Sequence, residues 1–318
     1  MKKSLTSAPC CATSLSLNLP IAQPPYHSTS TSAVHMIEQT KQRLKSAQAF
    51  LFVPGNRDDR ILKSLSTNAH ALIIDLEDAI PLSDKETARR TMLSVLPEIL
   101  SANPSRILVR INAYGSEFFK GDIQLLKKLG VGAIVLPKAE SKSQLVEIEK
   151  QLNRSISFIP MIESAQGIDQ LKDISSHPSV VRLTLGNIDL QANLGMNCSP
   201  DELELLPLKF QMVLMSRLFE LAPPIDGVTV DFKSAETIAG DVQRSKRIGF
   251  SGKLCIHPSQ IEPVIQGFMP SLAEVENAKA IVIADSKANG GAVQLNGKMV
   301  DRPVVLMAKL VLQQAGIQ

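Results

Sequence analysis

Eight short apolar runs recur along this chain, each separated from the next by room for one helix, and that alternation restricts its fold more than any other feature. The runs fall at 49–53, 71–76, 107–111, 133–136, 157–162, 180–185, 225–228 and 253–256. The stretches between them carry helical periodicity, among them 83–96, 141–152, 202–220 and 234–248. Ser83 with Glu86 three residues on forms a capping-box pattern, and Ser141 and Ser234 are suitable N-caps. Eight strand–helix units within about 220 residues predict an α/β fold, a (β/α)8 TIM barrel. The rival doubly wound sheet is usually marked by G-x-G-x-x-G after its first strand. Neither that motif nor a G-K-S/T phosphate loop occurs here.

The expected organisation has three parts. Residues 1–46 form a disordered N-terminal extension and lead-in, 47–270 the barrel catalytic domain, and 271–318 a C-terminal extension that packs outside the closed barrel. In that extension a helix at 271–287 is followed by a Gly-rich turn at 289–291, by Asn296-Gly297, and by Asp301-Arg302-Pro303 opening a last helix. Eleven of the first 35 residues are Ser or Thr and no acid precedes Glu38, which suits a disordered segment. Its apolar stretches are too broken for a secretory signal. Met36 is an alternative coding start.

Composition removes several classes of function. The 34 basic and 31 acidic residues are interspersed, and the chain has no Trp and two Tyr, so neither a nucleic-acid footprint nor a stacking platform is expected. No run approaches the roughly 18 apolar residues of a membrane span. Cys10, Cys11, Cys198 and Cys255 form no C-x-x-C pair, which fits a reducing compartment. The expected location is therefore cytoplasmic, or an organellar matrix where residues 1–35 serve as a transit peptide.

Active sites of such barrels form at the C-terminal ends of the strands. Polar residues gather there: Asp75-Leu76-Glu77-Asp78, Arg110 with Asn112, Lys138, Glu163, Asp189, Asp231 and His257. Two carboxylates from adjacent strand ends, Glu163 and Asp189, are a ligand set that Mg²⁺ prefers and Mn²⁺ accepts. Arg110 offers a planar fork for a carboxylate. Together they read as a site for a small hydroxy or keto acid. The competing reading is a purely structural ion-pair network at the barrel mouth, and for Lys138 a Schiff-base role stays open. His70 and His177 read as structural, and Cys255 as core.

The motifs Leu51-Phe52-Val53-Pro54-Gly55-Asn56-Arg57, Ile74-Asp75-Leu76-Glu77-Asp78-Ala79, Val109-Arg110-Ile111-Asn112, Leu136-Pro137-Lys138-Ala139-Glu140-Ser141, Met161-Ile162-Glu163-Ser164 and Leu185-Gly186-Asn187-Ile188-Asp189-Leu190 stand in order. They are followed by 252–260 and 296–301. This series resembles the citrate lyase β-subunit-like family of CoA-ester lyases, within the HpcH/HpaI aldolase superfamily, over about residues 47–315. The resemblance implies a Mg²⁺-dependent lyase that cleaves a 3-hydroxyacyl-CoA of the citramalyl-, malyl- or citryl-CoA type to an acyl-CoA and a 2-oxo acid. Glu163 and Asp189 would ligate the metal, and Arg110 and Glu163 would contact substrate. Glu77, Asp78 and Lys138 would support them from behind, and His257 would lie near CoA. Asp301 matches the family's acid/base aspartate, supplied by a neighbouring subunit of a homotrimer or larger homo-oligomer. Two positions depart from the pattern: Gln48-Ala49 replaces an Arg-Ser pair, and 113–118 lacks the family's Thr. A thioesterase, an aldolase on non-CoA acids, and a non-catalytic metabolite-binding or citrate lyase complex subunit are the alternatives.

Overall fold

The computed structural model describes residues 30–287 and 293–317. Eight parallel strands close into a barrel in chain order: β1 (Ala49–Pro54), β2 (Ala71–Asp75), β3 (Ile107–Arg110), β4 (Ala133–Leu136), β5 (Ser157–Ile162), β6 (Thr184–Leu185), β7 (Ile225–Asp226) and β8 (Gly252–Cys255). β1 pairs with β8, Ala49 opposite Lys253, so no strand edge is left open. The two-residue period of a strand sorts each run into two cores. Phe50, Ala71, Ile73, Leu108, Ala133, Val135, Ile159, Met161 and Leu254 fill the barrel interior. Leu51, Val53, Leu72, Ile74, Val109, Ile134 and Leu136 face the surrounding helices.

The lead-in differs from expectation. Residues 1–29 lie outside the described residues, but Ser30–Ser46 is a helix whose Thr40 and Leu44 are fully buried. Leu44 and Ala47 join the interior core and close the floor of the barrel. Arg182, fully buried, fastens this floor: its guanidinium donates to the carbonyls of Leu44 (3.0 Å), Ala47 (2.5 Å) and Pro223 (2.7 Å) and to Ser251 Oγ (3.0 Å). It has no acid partner among these groups, and burial pulls its pKa down to about 9.

Arg182 also bears on the sixth strand, which is shorter than the run 180–185 suggests. Val180 makes an isolated bridge with Phe158, and regular pairing resumes only at Thr184. The seventh strand stops at Asp226, beyond which the N–H of Val228 donates to the side chain of Asn187 (3.0 Å). The Ser83–Glu86 capping box does not form. Ser83 Oγ bonds to Asp84 (3.1 Å), Glu86 pairs with Arg89 (2.9 Å), and a 3₁₀ turn at Leu82–Asp84 leads into the helix Lys85–Ala102. The other two caps are made: Gln144 Oε1 accepts from the N–H of Ser141 (3.3 Å), and Ser234 Oγ accepts from the N–H of Thr237 (3.1 Å).

In the C-terminal extension, helices Leu272–Lys287 and Arg302–Gln314 pack together and bury Ala278, Val305 and Ala308. Between them β9 (Val293–Leu295) and β10 (Lys298–Val300) form a hairpin. Asn296 and Gly297 turn it, both at positive φ, as a tight two-residue connection requires. The expected turn at 289–291 lies outside the described residues. Leu306, Met307 and Leu310 stay exposed on the last helix.

Candidate active site

β2 and β3 end in register, Asp75 beside Arg110. Burying a guanidinium demands partners. Arg110 Nε and Nη2 donate to the two oxygens of Asp75, each at 2.6 Å, and Nη1 lies 3.0 Å from Glu77 Oε2 and 3.6 Å from Asp78 Oδ2. The Phe52 ring covers the guanidinium at 4.5 Å. Burial alone would lower the Arg110 pKa, but the three carboxylates hold it above its ordinary value. The expected free fork is therefore half used: its Nε–Nη2 edge belongs to Asp75.

Glu77 is under the opposite pressure. Burial drives its carboxyl up to about 8; Arg110 opposes this, while Asp78, Glu163 and Asp75 add repulsion. Its Oε2, though close to Arg110, is not aligned for a hydrogen bond with it or any other group.

Glu163 follows β5 and is buried. Its Oε1 accepts from the N–H of Lys138 at 2.7 Å. Lys138 takes a left-handed conformation (φ 46°) just past β4, which turns that N–H toward the carboxylate. A Cβ on Gly186 would stand 2.2 Å from Glu163 Oε2, so only glycine leaves room for the carboxylate there. Burial raises Glu163 to about 7; the Lys138 N–H opposes the rise and Asp189 reinforces it. Asp189 sits in the first turn of the helix Asn187–Leu194. Asn187 anchors that helix: its Nδ2 donates to Glu202 Oε1 and to the Val228 carbonyl, both at 3.0 Å. A desolvated carboxylate facing a second one is chemistry that a divalent cation would relieve. The residues present thus fit such an ion: Glu163 and Asp189 would hold it and leave its other positions to water or ligand. Among the described residues no group of three or more His, Cys, Asp and Glu side chains is arranged for a metal.

These groups open into one cavity of about 790 Å³ at the mouth of the barrel. Arg110, Asp78, Glu163, Asp189 and His257 line it. His257 stacks on Phe232, centroids 4.8 Å apart, and its Nδ1 lies 2.8 Å from Ser259 Oγ. Lys138 is exposed and is not among the lining residues, so its contribution is its backbone N–H, and a Schiff-base role loses its footing. Asp301 does not line the cavity of its own chain. It caps the last helix, accepting from the N–H of Val304 at 3.3 Å.

Sequence reasoning assigned no role to Asp75, Asn187 and Gly186. It also missed a basic wall formed by Arg57, Arg60 and Lys63 on and beside the short helix Asp58–Ser64. The signal for that wall was the three-residue spacing of its cations directly after β1. His70 and His177 are structural, as expected. His70 Nδ1 accepts from the N–H groups of Gln48 and Ala49, both at 3.3 Å, and His177 packs edge-on against Phe158. Cys255 is core, its thiol pushed by burial up to about 12.

A closed parallel barrel with a buried arginine and paired carboxylates at its C-terminal mouth defines the class. The model of the HpcH/HpaI aldolase/citrate lyase family matches residues 48–258, and the chain belongs to that family. It is 33% identical to the citrate lyase subunit beta of Escherichia coli K12 over 88% of this chain and 96% of that protein. It is 30% identical to a (3S)-malyl-CoA thioesterase of Cereibacter sphaeroides over 84% and 94%. Among solved structures, the protein CitE of Mycobacterium tuberculosis in complex with magnesium, acetoacetate and coenzyme A superposes with a TM-score of 0.77. It is 29% identical, over 86% of this chain and 99% of that one.

Proposed function

We propose that this chain is a Mg²⁺-dependent carbon–carbon lyase that cleaves a 3-hydroxyacyl-CoA to an acyl-CoA and a 2-oxo acid. The observation that carries the reading is the Glu163–Asp189 pair beside Arg110 in one cavity. The kinship with citrate lyase β subunits, and the magnesium, acetoacetate and coenzyme A bound by the CitE neighbour, support it. Glu163 and Asp189 would hold the metal, with Mn²⁺ as an acceptable substitute. When bound, such an ion favours loss of the hydroxyl proton and orients the hydroxyl and carboxylate oxygens.

The remaining work falls to the chain itself. Arg110 keeps an Nη1–Nη2 edge that would take the acid end of the substrate in two parallel bonds, in competition with Glu77 and Asp78 for Nη1. Loss of the hydroxyl proton to solvent turns the carbinol into the carbonyl of the 2-oxo acid. The electron pair of the broken carbon–carbon bond passes to the α-carbon of the thioester, where a proton completes the acyl-CoA. That proton needs a positioned acid. Asp301, at the N-cap of the helix that also carries the exposed Leu306 and Met307, is assigned this role from a neighbouring subunit of a homotrimer or larger assembly. His257, which follows β8, and Arg57, Arg60 and Lys63, which follow the neighbouring β1, would meet CoA.

The test is a panel of citramalyl-, malyl- and citryl-CoA offered to the purified protein with and without Mg²⁺. Release of acetyl-CoA and a 2-oxo acid, dependent on the metal, is expected. No acyl-CoA from any of them would overturn the reading. Similarity to a malyl-CoA thioesterase favours one second reading on the same site, hydrolysis of the thioester. It would appear as free CoA thiol with no acetyl-CoA. Asp301→Asn, which keeps a capping side chain, should cut turnover roughly 100-fold or more while Mg²⁺ binding holds. Unchanged turnover would remove Asp301 from the chemistry.

A further inference from the structure

The carboxylate of Asp75 does more than neutralise a buried charge. It is fully buried and accepts four hydrogen bonds. Two come from Arg110 Nε and Nη2 at 2.6 Å each, and two from the backbone N–H groups of Glu77 (3.0 Å) and Ala79 (3.1 Å). One side chain thus sets the plane of the guanidinium and, together with the Lys85 ammonium on the carbonyls of Leu76 and Glu77 (both 2.7 Å), the path of the loop that carries Glu77 and Asp78. The Phe52 ring at 4.5 Å holds the same plane from its face. A guanidinium has two edges that match a carboxylate, and Asp75 fills the one built from Nε and Nη2. The edge built from Nη1 and the second Nη2 hydrogen is then the one that can meet a ligand, with Glu77 Oε2 (3.0 Å) and Asp78 Oδ2 (3.6 Å) near Nη1 but Glu77 Oε2 not aligned to bond it.

We propose that Asp75 is a positioning residue that selects for the acid end of the substrate, acting through Arg110. With its first edge fixed, the guanidinium presents its second edge at a set distance and angle from Glu163 and Asp189. A ligand carboxylate is accepted only where it meets both. This inference rests on the functional reading above, in which Arg110 meets the carboxylate. A salt bridge that only stabilised the fold would act on every ligand alike, whereas a positioning residue acts on the carboxylate alone.

The test compares two probes by ligand-observed NMR titration in Mg²⁺: pyruvate, a small 2-oxo acid, and free CoA. In Asp75→Asn one acceptor oxygen becomes an NH₂ that faces a donor, so the guanidinium loses its fixed plane. Losing a well-aligned hydrogen bond between charged groups costs roughly 10- to 100-fold in affinity. Pyruvate affinity should therefore fall about 10- to 100-fold while CoA affinity stays within about twofold. Unchanged pyruvate affinity, or an equal fall for both probes, overturns the proposal. Should Asp75→Asn fail to fold, Asp75→Glu keeps the charge but pushes the guanidinium along by one methylene. It should show the same pyruvate-specific loss, and wild-type affinity in that variant overturns the proposal. A wild-type protein that binds no pyruvate in Mg²⁺ defeats the functional reading itself, and the role of Asp75 falls with it. Wild-type binding matched by Asp75→Asn removes Asp75 alone.

Discussion

Two buried arginines stand at opposite ends of the same barrel, and they are satisfied in opposite ways. Arg182, at the floor, bonds to neutral carbonyls and a hydroxyl, each already committed to one place. Arg110, at the mouth, faces Asp75, Glu77 and Asp78, with Glu163 further into the same cluster. With the Pro224 carbonyl at 3.4 Å as the fifth, the floor has as many acceptors as the five N–H donors of Arg182 need. The mouth holds more carboxylates than its cation can neutralise, and burial with mutual repulsion raises Glu77 to about 8 and Glu163 to about 7. A floor built that way is a fastening. The buried carboxylate cluster there is short of positive charge even with cations along the cavity wall, which suits a site that takes up a cation.

The sharpest way to break the contrast is at Gly186. In Gly186→Ala the new Cβ would collide with Glu163 at 2.2 Å from Oε2 and 2.6 Å from its Cβ. Turnover should drop by roughly 100- to 1000-fold, with the carboxylate displaced from its position opposite Asp189. Steady-state kinetics beside a thermal melt checks this, since activity should fall far more than stability. Arg182→Met should do the reverse. It strands the carbonyls of Leu44, Ala47 and Pro223, at a cost of about 3 kcal/mol. A denaturant titration should show that loss, and folded protein at low temperature should keep its Mg²⁺ affinity.

The titration of Glu163 gives a third handle. Its carboxyl binds a proton more tightly in the folded state than in the unfolded one. The stability it lends is complete below about pH 4.5, its ordinary value, and is lost as pH climbs through about 7. Melting temperature of the metal-free protein should therefore fall between pH 5 and 8, and Mg²⁺ should flatten the slope. A flat metal-free profile would mean that Glu163 is not under strain. The smallest effect is expected at a cap outside the cavity lining: Ser234→Ala removes a cap from Ala235–Ile248 and should cost about 1 kcal/mol with turnover intact.

The same contrast explains what the sequence made legible. Glu163, Asp189 and Arg110 were readable because each is a charge that ends or follows an apolar run, and the barrel places all such positions at one mouth. Asp75 also ends such a run, yet nothing local says that a carboxylate will spend itself on Arg110, 35 residues away. Asn187 is equally silent, because its partner Val228 lies 41 residues on. Gly186 matters only through a close approach that no pattern records. The helix Ser30–Ser46 was hidden by a composition rich in Ser and Thr, whose buried positions show only once a barrel floor exists to cover them. The sixth run was read too long because burial continues from Val180 to Leu185 while strand pairing does not. Ser83 and Glu86 had the spacing of a capping box, but each found a nearer partner.

Calorimetric titration of Mg²⁺ into the wild-type protein, Glu163→Gln and Asp189→Asn tests the mouth most directly. One ion per chain should bind to the wild type, and each substitution should weaken it by at least tenfold without unfolding the barrel. Equal Mg²⁺ affinity in all three proteins would contradict the assignment of these two carboxylates to a cation.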